Sequence, residues 1–389
     1  MFSKRTNWPL EKNELIVRLE ALRQEGKRII DLTESNPTRC AITYPDSKIL
    51  RPLSDCGNLR YEPLPYGSPH ARQTLAAYYR KKGFEVDVGK VFLVSSTSEA
   101  YAFLFRLLLN PTERILVPSP SYPLFQYLAD LNDVAVDSYP LVYKNHWSID
   151  LESLKKNIQD KTRAIILVNP NNPTGSFIKK EELAEINKLA LHYHVSIICD
   201  EVFSDYCFSH DKEIASSLLG NNAVLTFVLG GASKSLGLPQ MKLAWGLVSG
   251  PKDIVDDALN RLEIILDTYL SANTPAQNSL PEWLKILPLI QKEISRHLTV
   301  NKDFIEKNIH SSCGCELLAC EGGWYVVLRL PKSKSEDEWA FNFLEKDHVF
   351  VHPGYFFDFN DEPYAVLSLL PQPKIFAEGV KRIFERIKA

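Results

Sequence analysis

From about residue 90 to residue 250 the chain repeats one phrase: a short, uninterrupted apolar run followed by an amphipathic helix pattern. No other feature narrows the fold as much. "VFLVSS" leads into "SEAYAFLFRLLLN", "RILVPSP" into "PLFQYLADLN", "VAVDSYPLV" into "LESLKKNI", and "RAIILVNP" into "KEELAEINKLALHYH" ahead of "VSIICDEVF". A strand that is apolar at every position must be covered on both faces. A mainly parallel sheet flanked by its own crossover helices provides that cover. In "KEELAEINKLALHYH", Leu183, Ile186, Leu189 and Ala190 fall on one helical face. Two more strands are expected at "AVLTFVLGG" and "KLAWGLVSG". The expected fold class is therefore α/β, with a mainly parallel central sheet.

Later the texture changes. A long helical stretch, "EWLKILPLIQKEISRHLTVNKDFIEKN", precedes the alternating segments "GGWYVVLRL" and "HVFVHPG" and a final helix, "IFAEGVKRIFERIKA". At 389 residues the chain is long for one core. The expected division is a large domain over 49–280 and a smaller, discontinuous α+β domain from 1–48 and 281–389. The N-terminal helix "EKNELIVRLEALRQEG" is expected to pack with the smaller part.

A net charge of -3 creates no global field for nucleic acid or an anionic membrane. The first residues lack a signal-peptide apolar core, and the longest apolar runs are too short to span a bilayer, so a cytoplasmic location is expected. Seven scattered cysteines argue against a disulfide framework. Cys313, Cys315 and Cys320 cluster in "SSCGCELLAC", but no histidine follows closely; they read as small residues around a turn, and no metal is expected.

Ligands of open α/β sheets bind at the carboxyl ends of the strands. Chemistry-bearing residues gather there. Lys234, in "GGASKSLGLPQMKLAWG", lies among glycines, Ser233, Leu236 and Leu238, where burial favours the uncharged amine that Schiff-base chemistry needs. Judged alone, it would read as a snorkelling lysine at a strand end. Asp200 ends the apolar run "IICDEVF", where a carboxylate needs a partner. A pyridinium nitrogen is such a partner, as is a structural cation. "VNPNNPTG" fixes the backbone after a strand and offers the amide of Asn172. Ser96, Thr97 and Ser98 open a helix, where hydroxyls and free N–H groups suit a phosphate; Ser98 also suits a plain cap. Tyr122 in "PSPSYPLF" could lie flat on a ring or fill a core.

Together, "NPNNPTG", "CDEVFSDY" and "SKSLGLPQMKLAWG" at these spacings resemble the pyridoxal-phosphate-dependent aminotransferases of fold type I, the class I/II group that includes aspartate and tyrosine aminotransferases. The likeness runs from "DLTESNP" to the C-terminal helix. It implies pyridoxal 5'-phosphate as cofactor, held covalently by Lys234, which also shuttles the proton. Asp200 then matches the pyridinium partner, Asn172 the donor to the ring oxygen, and Tyr122 the stacked aromatic residue. Ser96, Thr97 and Ser98 match the phosphate loop, and Ser233 neighbours the lysine. Lys242 stands where the family usually has a phosphate-binding arginine. Tyr61 in "YEPLPYG" matches a tyrosine reaching the phosphate from a neighbouring subunit, which implies a homodimer with shared active sites.

Three positions depart from the pattern. Phe203 stands where many relatives carry a tyrosine that assists Asn172. Lys242 replaces a planar fork with a point charge. Val366 in "YAVLSLLP" fills the place of the arginine that usually reads the substrate carboxylate, and bidentate geometry is hard to replace. Ser35, Asn36 and Arg39 of "ESNPTR", Arg60, Asn172 and His352 are the candidates for substrate contact. The resemblance implies transamination between an amino acid and a 2-oxo acid. A C–S β-lyase on the same fold and a non-catalytic cofactor-binding regulator are the alternatives.

Overall fold

The computed structural model describes residues 1–309, 314–360 and 363–389; Cys313 of the cysteine cluster lies outside them. A short strand β1 (Ile30–Asp31) precedes β2 (Val91–Val94), β3 (Arg114–Ser119), β4 (Ala135–Tyr143), β5 (Trp147–Ile149), β6 (Thr162–Val168), β7 (Ser196–Asp200), β8 (Thr226–Gly231) and β9 (Ala244–Ser249). The last eight of these form one sheet in the order β2-β9-β8-β7-β6-β3-β4-β5. Its centre is parallel: β4 with β3, β3 with β6, β6 with β7, and β7 with β8. β9 runs antiparallel to both β8 and β2, and β5 closes the far edge as a hairpin with β4.

The strands are apolar throughout because helices cover both faces. Ile165 and Ile197 lie in one buried cluster with Ile186 and Ala190 of the helix Lys180–Tyr193. Ile166 and Ile198 lie in another with Leu104 of the helix Thr97–Leu108 and Leu262 of the helix Lys252–Tyr269. Each such side chain removed from water contributes about 1.5–3 kcal/mol.

The C-terminal part carries β10 (Glu316–Leu317), β11 (Tyr325–Arg329), β12 (Val349–Phe350), β13 (His352–Pro353) and β14 (Tyr364–Ser368). An antiparallel sheet orders them β10-β11-β14-β13, whereas β12 pairs in parallel with β1. The segment "HVFVHPG" is thus two strands rather than one, because its first half is recruited by the N-terminal strand and its second by β14. The helix Glu14–Gln24 places Leu15, Leu19 and Leu22 against Ala340, Leu344 and Phe350, the packing expected for it.

A helix of 35 residues, Thr274–Asn308, joins the two regions with Pro281 and Pro288 inside it. Its Ile290 and Ile294 pack against Gly237, and its Asn301 donates to the carbonyls of Leu369 and Pro371 at 2.8 and 2.7 Å. Among the described residues no helix is long and apolar enough to cross a membrane, and no group of three or more His, Cys, Asp or Glu is placed to hold a metal ion.

Candidate active site

At the carboxyl ends of β6, β7 and β8 the chain leaves a cavity of about 350 Å³. Ser35, Ser96, Thr97, Ser98, Tyr122, Asn172, Asp200, Phe203, Ser233, Lys234 and Lys242 all line it. These residues come from segments far apart in sequence, so the crossovers of the sheet do the gathering.

Lys234 sits in a single helical turn, Ala232–Ser235, directly after β8. The turn is fixed from several sides. Tyr206 donates to the Lys234 carbonyl at 2.8 Å, and Tyr44 donates to the Gly237 carbonyl at 2.6 Å. Gly237 has φ of +61° and meets Tyr44 and Ile294 so closely that a side chain would strain both backbone and packing. Leu236 and Leu238 are buried beneath. The amine lies 5.3 Å from the ring centre of Phe203 and 4.8 Å from that of Trp324. Burial lowers its pKa to about 8, against the pull of Asp200.

Asp200 closes β7. Its Oδ1 accepts from the backbone N–H of Val202 at 3.1 Å and its Oδ2 from the hydroxyl of Tyr101 at 3.4 Å. Desolvation raises the carboxyl to about 6, although those two donors and Lys234 favour the anion. The loop that follows is pinned at Asp205, which accepts from Tyr78 at 2.8 Å and pairs with Lys82.

The "NPNNPTG" loop is held by its own asparagines. Asn169 donates to Ala215 O and accepts from Ile178 N, while Asn171 donates to Pro120 O and to Thr174 Oγ1. Gly175, at φ +72°, approaches Gly322 O and Cys320 too closely for a Cβ, which brings the segment before β11 against the loop. Asn172 Oδ1 is buried and has no partner among the described residues. An unpaired buried amide of this kind is a vacancy for a ligand's hydrogen bond.

Ser96, rather than Ser98, caps the helix Thr97–Leu108, accepting from Glu99 N at 3.1 Å. Thr97 and Ser98 therefore occupy the first helical positions, where N–H groups lack intrahelical partners and favour an anion. Lys242 lies on the same cavity wall, in a left-handed backbone conformation after Pro239–Met241.

Sequence reasoning passed over four aromatic residues here: Tyr101, Tyr206, Trp324 and Tyr325. Tyr101 and Tyr206 lie within quoted segments, but only the fold brings them to Asp200 and Lys234. Tyr325 lines the cavity from β11, with its hydroxyl bonded to Ser35 and its pKa pushed up to about 12, chiefly by burial.

Other expected residues stand apart from the cavity. Asn36 caps the turn at Thr38, and Arg39 points to solvent 3.8 Å from Glu34. Arg60 lies 3.9 Å from Glu62, and Tyr61 is 69% exposed. His352 is wedged among Phe350, Phe356 and Phe357; burial drives its pKa down to about 4, so it is a neutral ring and not a cation for a carboxylate. Val366 is wholly buried with Trp147, Val327 and Phe357. The basic side chains among the described residues of the cavity wall are Lys234 and Lys242.

The arrangement suits a flat, phosphorylated pyridine aldehyde. It pairs an amine with a carboxylate, supplies an unpaired amide, and ends in a helix N-terminus with a lysine. The profile of the family described as "Aminotransferase class I and II" matches residues 28–365. The glutamate-pyruvate aminotransferase AlaA of Haemophilus influenzae is 25% identical over 381 residues, covering 94% of this chain and 93% of its own. The tyrosine aminotransferase of Dictyostelium discoideum is 27% identical over 81% of this chain and 78% of its own. Among solved structures, the alanine aminotransferase from Pyrococcus furiosus superposes with a TM-score of 0.89 at 24% identity, with both chains covered completely.

Proposed function

The chain belongs to the class I and II aminotransferases, and from that premise we propose that it moves the amino group of an amino acid to a 2-oxo acid with pyridoxal 5'-phosphate bound at Lys234. The observation that carries this reading is the common cavity of Lys234, Asp200, Asn172 and the helix N-terminus at Thr97 and Ser98. Bound there, the cofactor supplies an electron sink for a carbanion at the substrate's α-carbon.

The chain's own residues do the rest. Asp200 Oδ holds a proton on the ring nitrogen, with Tyr101 orienting the carboxylate. Asn172 occupies the ring oxygen, and Tyr122 covers one face and excludes water. The N–H groups of Thr97 and Ser98, the hydroxyls of Ser96 and Ser233, and Lys242 hold the phosphate. Lys234 Nζ, once free, takes the proton from the substrate's α-carbon and returns it at the other end of the transfer. Its lowered pKa suits that two-way role near neutral pH.

We also propose that two copies assemble, because Leu59 and Tyr61 project from one exposed stretch and Tyr61 is aimed at no site of its own chain. The division at residues 49 and 281 and a cytoplasmic location belong to the same proposal. The lack of an arginine among the described cavity residues favours one second reading, β-elimination from cysteine-type substrates.

Single amino acids mixed with the cofactor-loaded protein separate the readings. Conversion of the cofactor absorption that one keto acid reverses supports transamination. Pyruvate and ammonia formed without any keto acid support elimination. Borohydride trapping that labels a peptide lacking Lys234 overturns the site.

A further inference from the structure

Lys234 does not point into open space. Its amine lies between two ring faces, 4.8 Å from Trp324 and 5.3 Å from Phe203, a range in which the π-quadrupole attracts a cation. Both rings are fixed. Trp324 is fully buried and Phe203 nearly so; they pack at 5.2 Å and 64°, and Tyr206 closes on Trp324 at 5.3 Å and 61°. The Trp324 carbonyl is further tied by Leu369 N at 2.7 Å. Tyr206 holds the other end of the lysine, at its carbonyl. Backbone and amine are thus both located before anything binds.

We propose that Trp324, with Phe203, is a positioning residue for Lys234, forming an aromatic cradle that holds the amine as an ammonium whenever it is not covalently engaged. This rests on the assignment of Lys234 as the cofactor lysine, but it concerns the free side chain. A neutral amine gains little from a ring face, whereas a desolvated ammonium gains most there. The cradle therefore acts against burial, which favours the neutral form. Asp200 from the end of β7 acts in the same sense as the rings. Lys242, across the cavity, is like-charged, and the hydroxyls of Tyr122, Tyr206 and Tyr325 remain neutral because burial raises all three. A lysine kept charged in this way retains the proton that it must later deliver, and it rests clear of the cavity's centre.

Competitive trace acetylation of the full-length, cofactor-free chain across a pH series, read by peptide mass spectrometry, reports the protonation midpoint of Lys234 directly. The Lys242 peptide serves as the internal reference. The expected result is a midpoint lowered by about one pH unit in W324L, a similar fall in F203L, and a smaller one in W324F, which keeps a ring. A midpoint unchanged or raised in F203L and W324L overturns the cradle, as does a W324F midpoint as low as that of W324L. If W324L fails to unfold cooperatively on heating, F203L and W324F decide the matter by the same criteria. Because no cofactor is present, the result is independent of where borohydride traps it.

Discussion

Asp200 and Lys234 keep each other ionised against their own burial. Desolvation lifts the carboxyl to about 6 and lowers the amine to about 8, and each pulls the other back toward charge. A pair poised in this way costs the bare protein stability and serves chemistry near neutral pH.

Replacing Asp200 by Asn separates those two effects. The native carboxyl binds a proton up to about pH 6, whereas the unfolded one releases it near 3.8. Stability therefore falls as pH rises through that window, and the penalty is complete above it. D200N is expected to stabilise the cofactor-free protein by about 2 kcal/mol at pH 8, with the gain vanishing by about pH 4. Turnover should fall by a factor of at least about 1,000. Urea denaturation at the two pH values checks the first part; a D200N protein less stable at pH 8 contradicts it.

Tyr101→Phe deletes a single hydroxyl facing Asp200. Partners that orient a functional group typically contribute about tenfold or more to its affinity for what it binds. A cofactor dissociation constant raised about tenfold is expected, measured by equilibrium dialysis, with the fold unaffected by circular dichroism. An unchanged constant would mean that Val202 N alone fixes the carboxylate.

Phe203→Tyr adds a hydroxyl on the Asn172 side of the cavity wall. A second donor to the cofactor's ring oxygen favours its deprotonated form. The visible absorption of the loaded variant should therefore titrate at lower pH than that of the parent. A parent midpoint no higher than the variant's refutes the reading of Phe203 as a missing donor.

Val366→Arg is not expected to restore a carboxylate site. Val366 is wholly buried in β14 and shares an apolar cluster with Trp147, Val327 and Phe357. An unpaired guanidinium there costs about 3 kcal/mol or more. A lowered thermal midpoint without a lowered KM for any amino acid is the expected outcome; a KM gain at unchanged stability would show that the strand can turn its side chain to the cavity.

The parallel sheet was legible because every central strand is apolar along its length and every crossover helix is amphipathic. Lys234, Asp200 and Asn172 were legible because polar side chains at apolar strand ends are conspicuous. The aromatic surroundings were not. Trp324 lies 90 residues after Lys234 and beside another strand, and nothing in "GGWYVVL" shows that Gly175 lets this segment close on the "NPNNPTG" loop. The helix cap was read one turn position late, at Ser98 instead of Ser96, because several hydroxyls in a row satisfy the same pattern. His352 looked polar in sequence, and only its three phenylalanine neighbours make it neutral.

The rod Thr274–Asn308 fixes a distance as well as a contact. Ile290 and Ile294 meet the turn beside Lys234, and Asn301 meets the end of the C-terminal sheet, so the spacing between them is a ruler whose divisions are helical residues. Inserting one residue between positions 294 and 301 turns Asn301 by about 100° and advances it about 1.5 Å, which unhooks it from Leu369. Length variation among relatives should therefore collect in the loops and spare this interval.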